Sequence, residues 1–111
     1  MNFQVDTGSD ITLLHPPDLR QTDIRVEQLR GASGTAGIGG ATDAFREPAI
    51  LYFTDVDSIT EYSYRLDIYI ASPDAYNNDF PSLLGMDVLS CWYTECDPTN
   101  DMLRFTVRRT L

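Results

Sequence analysis

Over residues 61–71 apolar and polar positions alternate: Tyr62, Tyr64, Leu66, Ile68 and Ile70 fall on one side, Glu61, Ser63, Arg65, Asp67 and Tyr69 on the other. A period of two is that of a strand with one buried face, so this segment predicts a long strand. The tail repeats the pattern, with Leu103, Phe105 and Val107 opposite Arg104, Thr106 and Arg108, and predicts another over residues 102–108. Shorter apolar runs predict strands at 3–5, 11–15, 24–30 and 49–56, broken by Pro16-Pro17, by a glycine-rich stretch and by Thr54 to Ser58. One helical pattern stands out, residues 86–92 after Gly85, with Met86, Leu89 and Trp92 on its inner side. The pattern therefore predicts an all-β chain with one short helix near the C-terminus, without internal repeat, linker or domain boundary.

Composition narrows the chemistry. A length of 111 residues suits one domain burying roughly two thirds of its unfolded surface. Hydrophobic residues make up 42%, too many for a disordered tail. The formal net charge of -9 repels phosphate backbones and anionic membranes, so neither nucleic acid nor membrane is an expected partner. All eight cations are arginines, which removes Schiff-base lysines and the lysine of a Walker phosphate loop. Cys91 and Cys96 lack the second ligand pair of a zinc site and read as small buried or half-buried thiols, with a local disulfide as the alternative. His15, the only histidine, reads as a strand-end residue ahead of Pro16-Pro17 rather than part of a nucleophile triad. Asp74, Asp79, Asp97 and Asp101 lack the spacing of a calcium loop and read as solvated turns. With no long apolar run and no signal-peptide pattern, the chain is expected to be soluble and cytoplasmic, or a domain of a larger protein.

The clearest chemical signal is Phe3-Gln4-Val5-Asp6-Thr7-Gly8-Ser9-Asp10, an apolar strand running into Asp, Thr and Gly. If two such loops meet, their carboxyl groups cannot both ionise and share one proton, which supplies an acid and a base side by side. Thr7 could cross-brace the loops, and Gly8 lets backbone amides approach the carboxylates. The plainer reading of an Asp-Thr-Gly triplet is a turn in which Asp caps the backbone. A second signal is the stretch 31–40, which holds five of the seven glycines and ends in Gly37-Ile38-Gly39-Gly40. No helix pattern follows it, so a mobile hairpin tip fits better than a dinucleotide loop. A third is Pro81-Ser82-Leu83-Leu84-Gly85-Met86-Asp87, two apolar residues and a glycine leading into the helix, which could also be plain core packing.

In this order the three signals resemble the retropepsin-like, or retroviral-type, aspartic proteases. The Met86-Asp87-Val88-Leu89 segment is more similar to cellular and bacterial members than to the compact viral ones, which often carry Arg where Met86 stands. The resemblance implies a single-lobe acid-protease closed barrel spanning residues 1–111. Only five residues precede Asp6, so the family's usual N-terminal strands are expected to be missing. It further implies Asp6, Thr7 and Gly8 as the catalytic loop, with Asp10 shaping the substrate site. Gly37, Ile38, Gly39 and Gly40 would be the flap over bound peptide, and Leu83, Leu84, Gly85 and Asp87 the structural support. One Asp-Thr-Gly per chain requires a homodimer acting on a polypeptide substrate. Carboxyl groups and water suffice, so no cofactor or metal is expected. The alternative is a catalytically inactive dimerisation or peptide-binding module, or a truncated fragment, on the same fold.

Overall fold

The computed structural model describes residues 1–35 and 43–111. It is mostly β, with a few short helices. The strands are β1 (Phe3–Val5), β2 (Leu13–Leu14), β3 (Ala32–Thr35), β4 (Asp43–Thr54), β5 (Glu61–Ala71), β6 (Ser82–Leu84), β7 (Trp92–Asp97) and β8 (Met102–Val107). Helix α1 covers Pro16–Leu19 and α2 covers Met86–Leu89. Among the described residues no helix is long and apolar enough to cross a membrane.

Among the described residues six strands form one sheet in the order β1-β6-β2-β5-β4-β3, and β7 and β8 pair only with each other. The expected closed barrel is not formed among the described residues. Closure needs the two edge strands to pair, but β1 and β3 stand at opposite edges and the C-terminal hairpin joins neither. The long β4–β5 hairpin is antiparallel over its length, from Ala44 opposite Ala71 to Thr54 opposite Glu61. Pro48 lacks an amide donor, and it sits where β4 has β5 on one side but has left β3, whose pairing ends at Phe45. The alternation in β5 holds: Tyr64, Ile68 and Ile70 are buried while Glu61, Ser63, Arg65 and Asp67 face solvent.

Three other expectations change. Residues 24–30 do not form a strand; Val26–Gln28 is a 3-10 turn, which places Val26 and Leu29 three apart against the core of Leu14, Leu19, Ile68 and Ile70. Pro16-Pro17 opens α1 rather than only breaking a strand, because proline at a first helical position has no amide to waste and its φ is already helical. The helix expected over 86–92 stops at Leu89. The Cys91 carbonyl is taken by the amides of Arg108 and Arg109, and Trp92 pairs with Val107 as the first residue of β7.

The core nearest β1 collects Leu84, Val88 and Leu89 with half-buried Phe3, Val5, Phe53, Leu66, Trp92 and Phe105. Tyr64, fully buried beside it, accepts a hydrogen bond from Trp92 Nε1 at 2.6 Å and donates to the Arg109 carbonyl at 3.2 Å. Burial raises its phenol above the ordinary tyrosine pKa, so it stays a neutral donor. Cys91 is buried and Cys96 exposed, and both are free thiols, so the local disulfide is not formed.

Candidate active site

Asp6 is placed by the pairing on either side of it. β1 runs parallel to β6, with Phe3 opposite Ser82 and Val5 opposite Leu84, and the ladder ends where the Asp6 amide donates to the Leu84 carbonyl at 3.0 Å. The chain then turns: the Ser9 amide donates to the Asp6 carbonyl at 3.2 Å, and the Gly8 amide to Asp6 Oδ1 at 2.9 Å. A Cβ on Gly8 would stand 3.2 Å from that same Oδ1, so glycine leaves the carboxylate its present rotamer. Asp6 is half-buried, and Thr7, Gly8 and Asp10 are exposed. The loop therefore presents a carboxyl group with one oxygen held by the backbone, and Thr7 beside it on the open side.

The far end of the loop is fastened to the Leu83-Leu84-Gly85-Met86-Asp87 segment. The Met86 amide donates to the Ser9 carbonyl at 2.7 Å. Thr12, fully buried, donates its hydroxyl to Asp87 Oδ1 at 2.7 Å and its amide to Asp87 Oδ2 at 2.8 Å, and its hydroxyl oxygen accepts the Gly85 amide at 3.2 Å. Asp87 thus serves as a two-pronged acceptor that fixes where the loop rejoins the sheet, and Gly85 supplies the close crossing. Thr12→Val removes the hydroxyl while keeping the shape, leaving an Asp87 oxygen and the Gly85 amide short of a partner. A loss of about 2 kcal/mol is expected, read as a lower denaturation midpoint with an unchanged slope.

A third tie lies at the start of β1. Asp18 of α1 is buried and accepts the Asn2 amide at 2.8 Å and the Ser82 hydroxyl at 2.6 Å, while Ser82 Oγ accepts the His15 amide at 2.9 Å. These bonds fix the β1–β6 register just ahead of Asp6. His15 is buried, with Nδ1 2.6 Å from the Pro81 carbonyl and its ring edge-on to Phe80, which is a structural position at the end of β2.

Of the residues singled out in the sequence, Asp6, Thr7, Gly8, Leu83, Leu84, Gly85 and Asp87 are brought together. Asp10 lies next to them in sequence but makes no hydrogen bond or ion pair among the described residues. Gly37, Ile38, Gly39 and Gly40 lie outside the described residues. Thr12 and Asp18 were missed. Thr12 is the only polar residue between Ile11 and Leu14, and a polar side chain inside an apolar run is the signal that would have marked it. Asp18 follows two prolines, and nothing local indicates that Ser82 lies across from it.

Chemically, one such loop can hold a water against a carboxylate and little more. The arrangement becomes an acid–base pair only when a second carboxyl group faces the first. Comparison of this chain with protein-family models returns no match, and comparison with curated proteins returns none either.

Proposed function

We infer that the chain is one half of an aspartic endopeptidase of the retropepsin-like kind, an acid-protease lobe whose catalytic centre forms from Asp6 of two copies. The observation that carries this reading is the Asp6 loop. Its carboxylate is fixed through Oδ1 by the Gly8 amide, and the loop is braced from behind by Leu84, Gly85, Met86 and Asp87. An ordinary capping turn needs the first contact and none of the others.

In the paired site the ionised Asp6 takes a proton from a water lying between the two carboxyl groups as the water oxygen bonds to the scissile carbonyl carbon. The neutral Asp6 gives its proton to the carbonyl oxygen, forming a gem-diol. Collapse of the diol breaks the C–N bond: the carboxyl group that gained the water proton protonates the leaving nitrogen, while the other, now ionised, takes a proton from a diol hydroxyl as the carbonyl re-forms. Each carboxyl group regains its starting state, no covalent intermediate forms and no cofactor is needed. In this reading Thr7, exposed in one chain, braces the partner loop, and Asp10 borders the substrate.

The test is cleavage of an unfolded polypeptide in mildly acidic buffer above the pI of about 4.2, with specific activity followed across chain concentration. Activity per chain should rise with concentration and level off once the chains are paired. No cleavage by demonstrably paired chains, or activity per chain that is flat across the monomer–dimer transition, removes the reading. A second reading, a catalytically silent peptide-binding or dimerisation module, is favoured by the sheet edge at β3, which pairs with no further strand among the described residues and where an extended peptide could add as a strand. It predicts binding without turnover in the same assay.

A further inference from the structure

Asp18 is a buried carboxylate without a cation. It is 3% exposed, and it takes no part in the single ion pair among the described residues, Arg46 with Asp67. Burying such a group costs folding energy, so stability alone would favour a neutral side chain at this position. What the carboxylate supplies is a pair of acceptors. Oδ1 accepts the Asn2 amide at 2.8 Å, and Oδ2 accepts the Ser82 hydroxyl at 2.6 Å. Asn2 leads into β1 and Ser82 opens β6, with Phe3 opposite Ser82 in the ladder between them. One side chain reaches both donors only while that register holds.

The register has little else to fix it ahead of Asp6. β1 has three residues, stands at an edge of the sheet and pairs with β6 alone among the described residues. Phe3 and Val5 alternate with Gln4, and a period of two is blind to a slip by two residues. Such a slip would keep both apolar side chains on their face and carry Asp6 roughly 7 Å along the sheet. The Asp6 amide bond to the Leu84 carbonyl is backbone to backbone and carries no register information of its own. The braces beyond Asp6 begin at Ser9, whose carbonyl accepts the Met86 amide.

We propose that Asp18 is a positioning residue for the peptidase reaction, a register pin that sets where Asp6 lies along β6 and so where its carboxyl group meets that of a second copy. Asp18 acts through β1 and touches neither substrate nor water. Two carboxyl groups that share a proton tolerate little displacement, and a misplacement of about 1 Å can cost ~100-fold in rate. Aspartate is required by count: two donors need two acceptor oxygens, and an asparagine side chain offers one. Ser82 Oγ also accepts the His15 amide at 2.9 Å, which leaves the hydroxyl proton directed at Asp18. The catalytic role rests on the peptidase reading of Asp6, whereas the pin is measured without cleavage.

The experiment compares the native chain with Asp18→Asn, Asn2→Pro and Asp23→Asn. It uses amide hydrogen exchange and steady-state cleavage of an unfolded polypeptide, at a chain concentration where activity per chain has levelled off. Asn2→Pro deletes the amide that Asp18 accepts and leaves the carboxylate in place. Asp23→Asn removes the same charge from an exposed position after α1 and serves as the control. Exchange at the Asp6 amide should quicken at least about tenfold in Asp18→Asn and in Asn2→Pro, with the amides of the β4–β5 hairpin unchanged. In both variants kcat should fall about tenfold with KM within about twofold of native. The double variant should be little worse than either single one, and Asp23→Asn should match the native chain. An Asp6 amide as protected in Asp18→Asn as in the native chain overturns the proposal. So does an equal loss of protection across the β4–β5 hairpin, which would make Asp18 a general stability residue, and so does quickened exchange at Asp6 with a native kcat. Quickened exchange at Asp6 in a protein whose paired native chains cleave nothing keeps the register pin and removes the peptidase reading.

Discussion

Gly85→Ala is expected to lower stability by about 3 kcal/mol or more, enough to cut the melting temperature by more than about 12 °C for a chain of this size. The reason is backbone against backbone. A Cβ on Gly85 would overlap the Ile11 carbonyl group and come within 2.9 Å of the Ile11 nitrogen. No side chain can swing aside there. Gly85 is extended, at φ -97 and ψ -177, so its dihedral angles would suit alanine and the penalty is purely one of space. Relieving the overlap means parting residue 11 from residue 85, and the bonds lost would be those that fasten the Asp6 loop: Gly85 amide to Thr12, Met86 amide to Ser9. Gly8→Ala is the contrasting variant, because its new methyl would meet only the Asp6 carboxylate, at 3.2 Å, on an exposed turn. Thermal unfolding followed by circular dichroism separates the two. Equal melting temperatures for Gly85→Ala and the native chain would mean that the crossing of Ile11 and Gly85 is looser than described.

The contrast between these two glycines shows how much of the molecule could be read from the chain. Strand β5 was legible because its sustained alternation is a local property: Tyr64, Ile68 and Ile70 are inside for the same reason that Glu61, Arg65 and Asp67 are outside. Strand β1 was legible too, as Phe3 and Val5 alternating with Gln4 just ahead of Asp6. Strand β7 was not. Its sequence, Trp92 to Asp97, mixes aromatic, polar and acidic residues and is exposed along most of its length, so it has no buried face to impose a period. It is a strand because its backbone pairs with β8, which is a tertiary fact. The 3-10 turn at Val26–Gln28 was misread because apolar residues three apart in a short segment fit a loose alternation as well as a turn.

The candidate site divides in the same way. The Asp-Thr-Gly triplet announces itself, since each residue type is tied to a chemical task. What holds it in place does not, because the partners are far apart in sequence: Thr12 and Asp87 are separated by 75 residues, Asp18 and Ser82 by 64. No local pattern encodes such a pair. Only the sheet order β1-β6-β2, with β6 inserted between the two halves of the Asp6 loop, brings them together. The barrel expected from family resemblance failed for a related reason: closure depends on which edges find each other, and neither β1 nor β3 carries that information in its own few residues.

Mixing Asp6→Asn with native chain offers the largest expected change in activity and the sharpest account of how the site is built. The substituted side chain keeps the shape of the loop, since its amide oxygen can still accept the Gly8 amide that Asp6 Oδ1 accepts at 2.9 Å. On the proposed mechanism it can neither take nor give the shared proton, so the pure variant should lose at least about 100-fold in cleavage rate. The mixture says more. If chains are unfolded together and refolded with a roughly ninefold excess of Asp6→Asn, random pairing leaves only about one native chain in ten with a native mate, so activity per native chain should fall about tenfold. A catalyst complete within one chain would be indifferent to the excess, and a contaminating protease would be indifferent to the substitution itself. Circular dichroism and sedimentation of the mixture, unchanged from the native sample, would place the loss at the carboxyl group and leave folding and pairing intact.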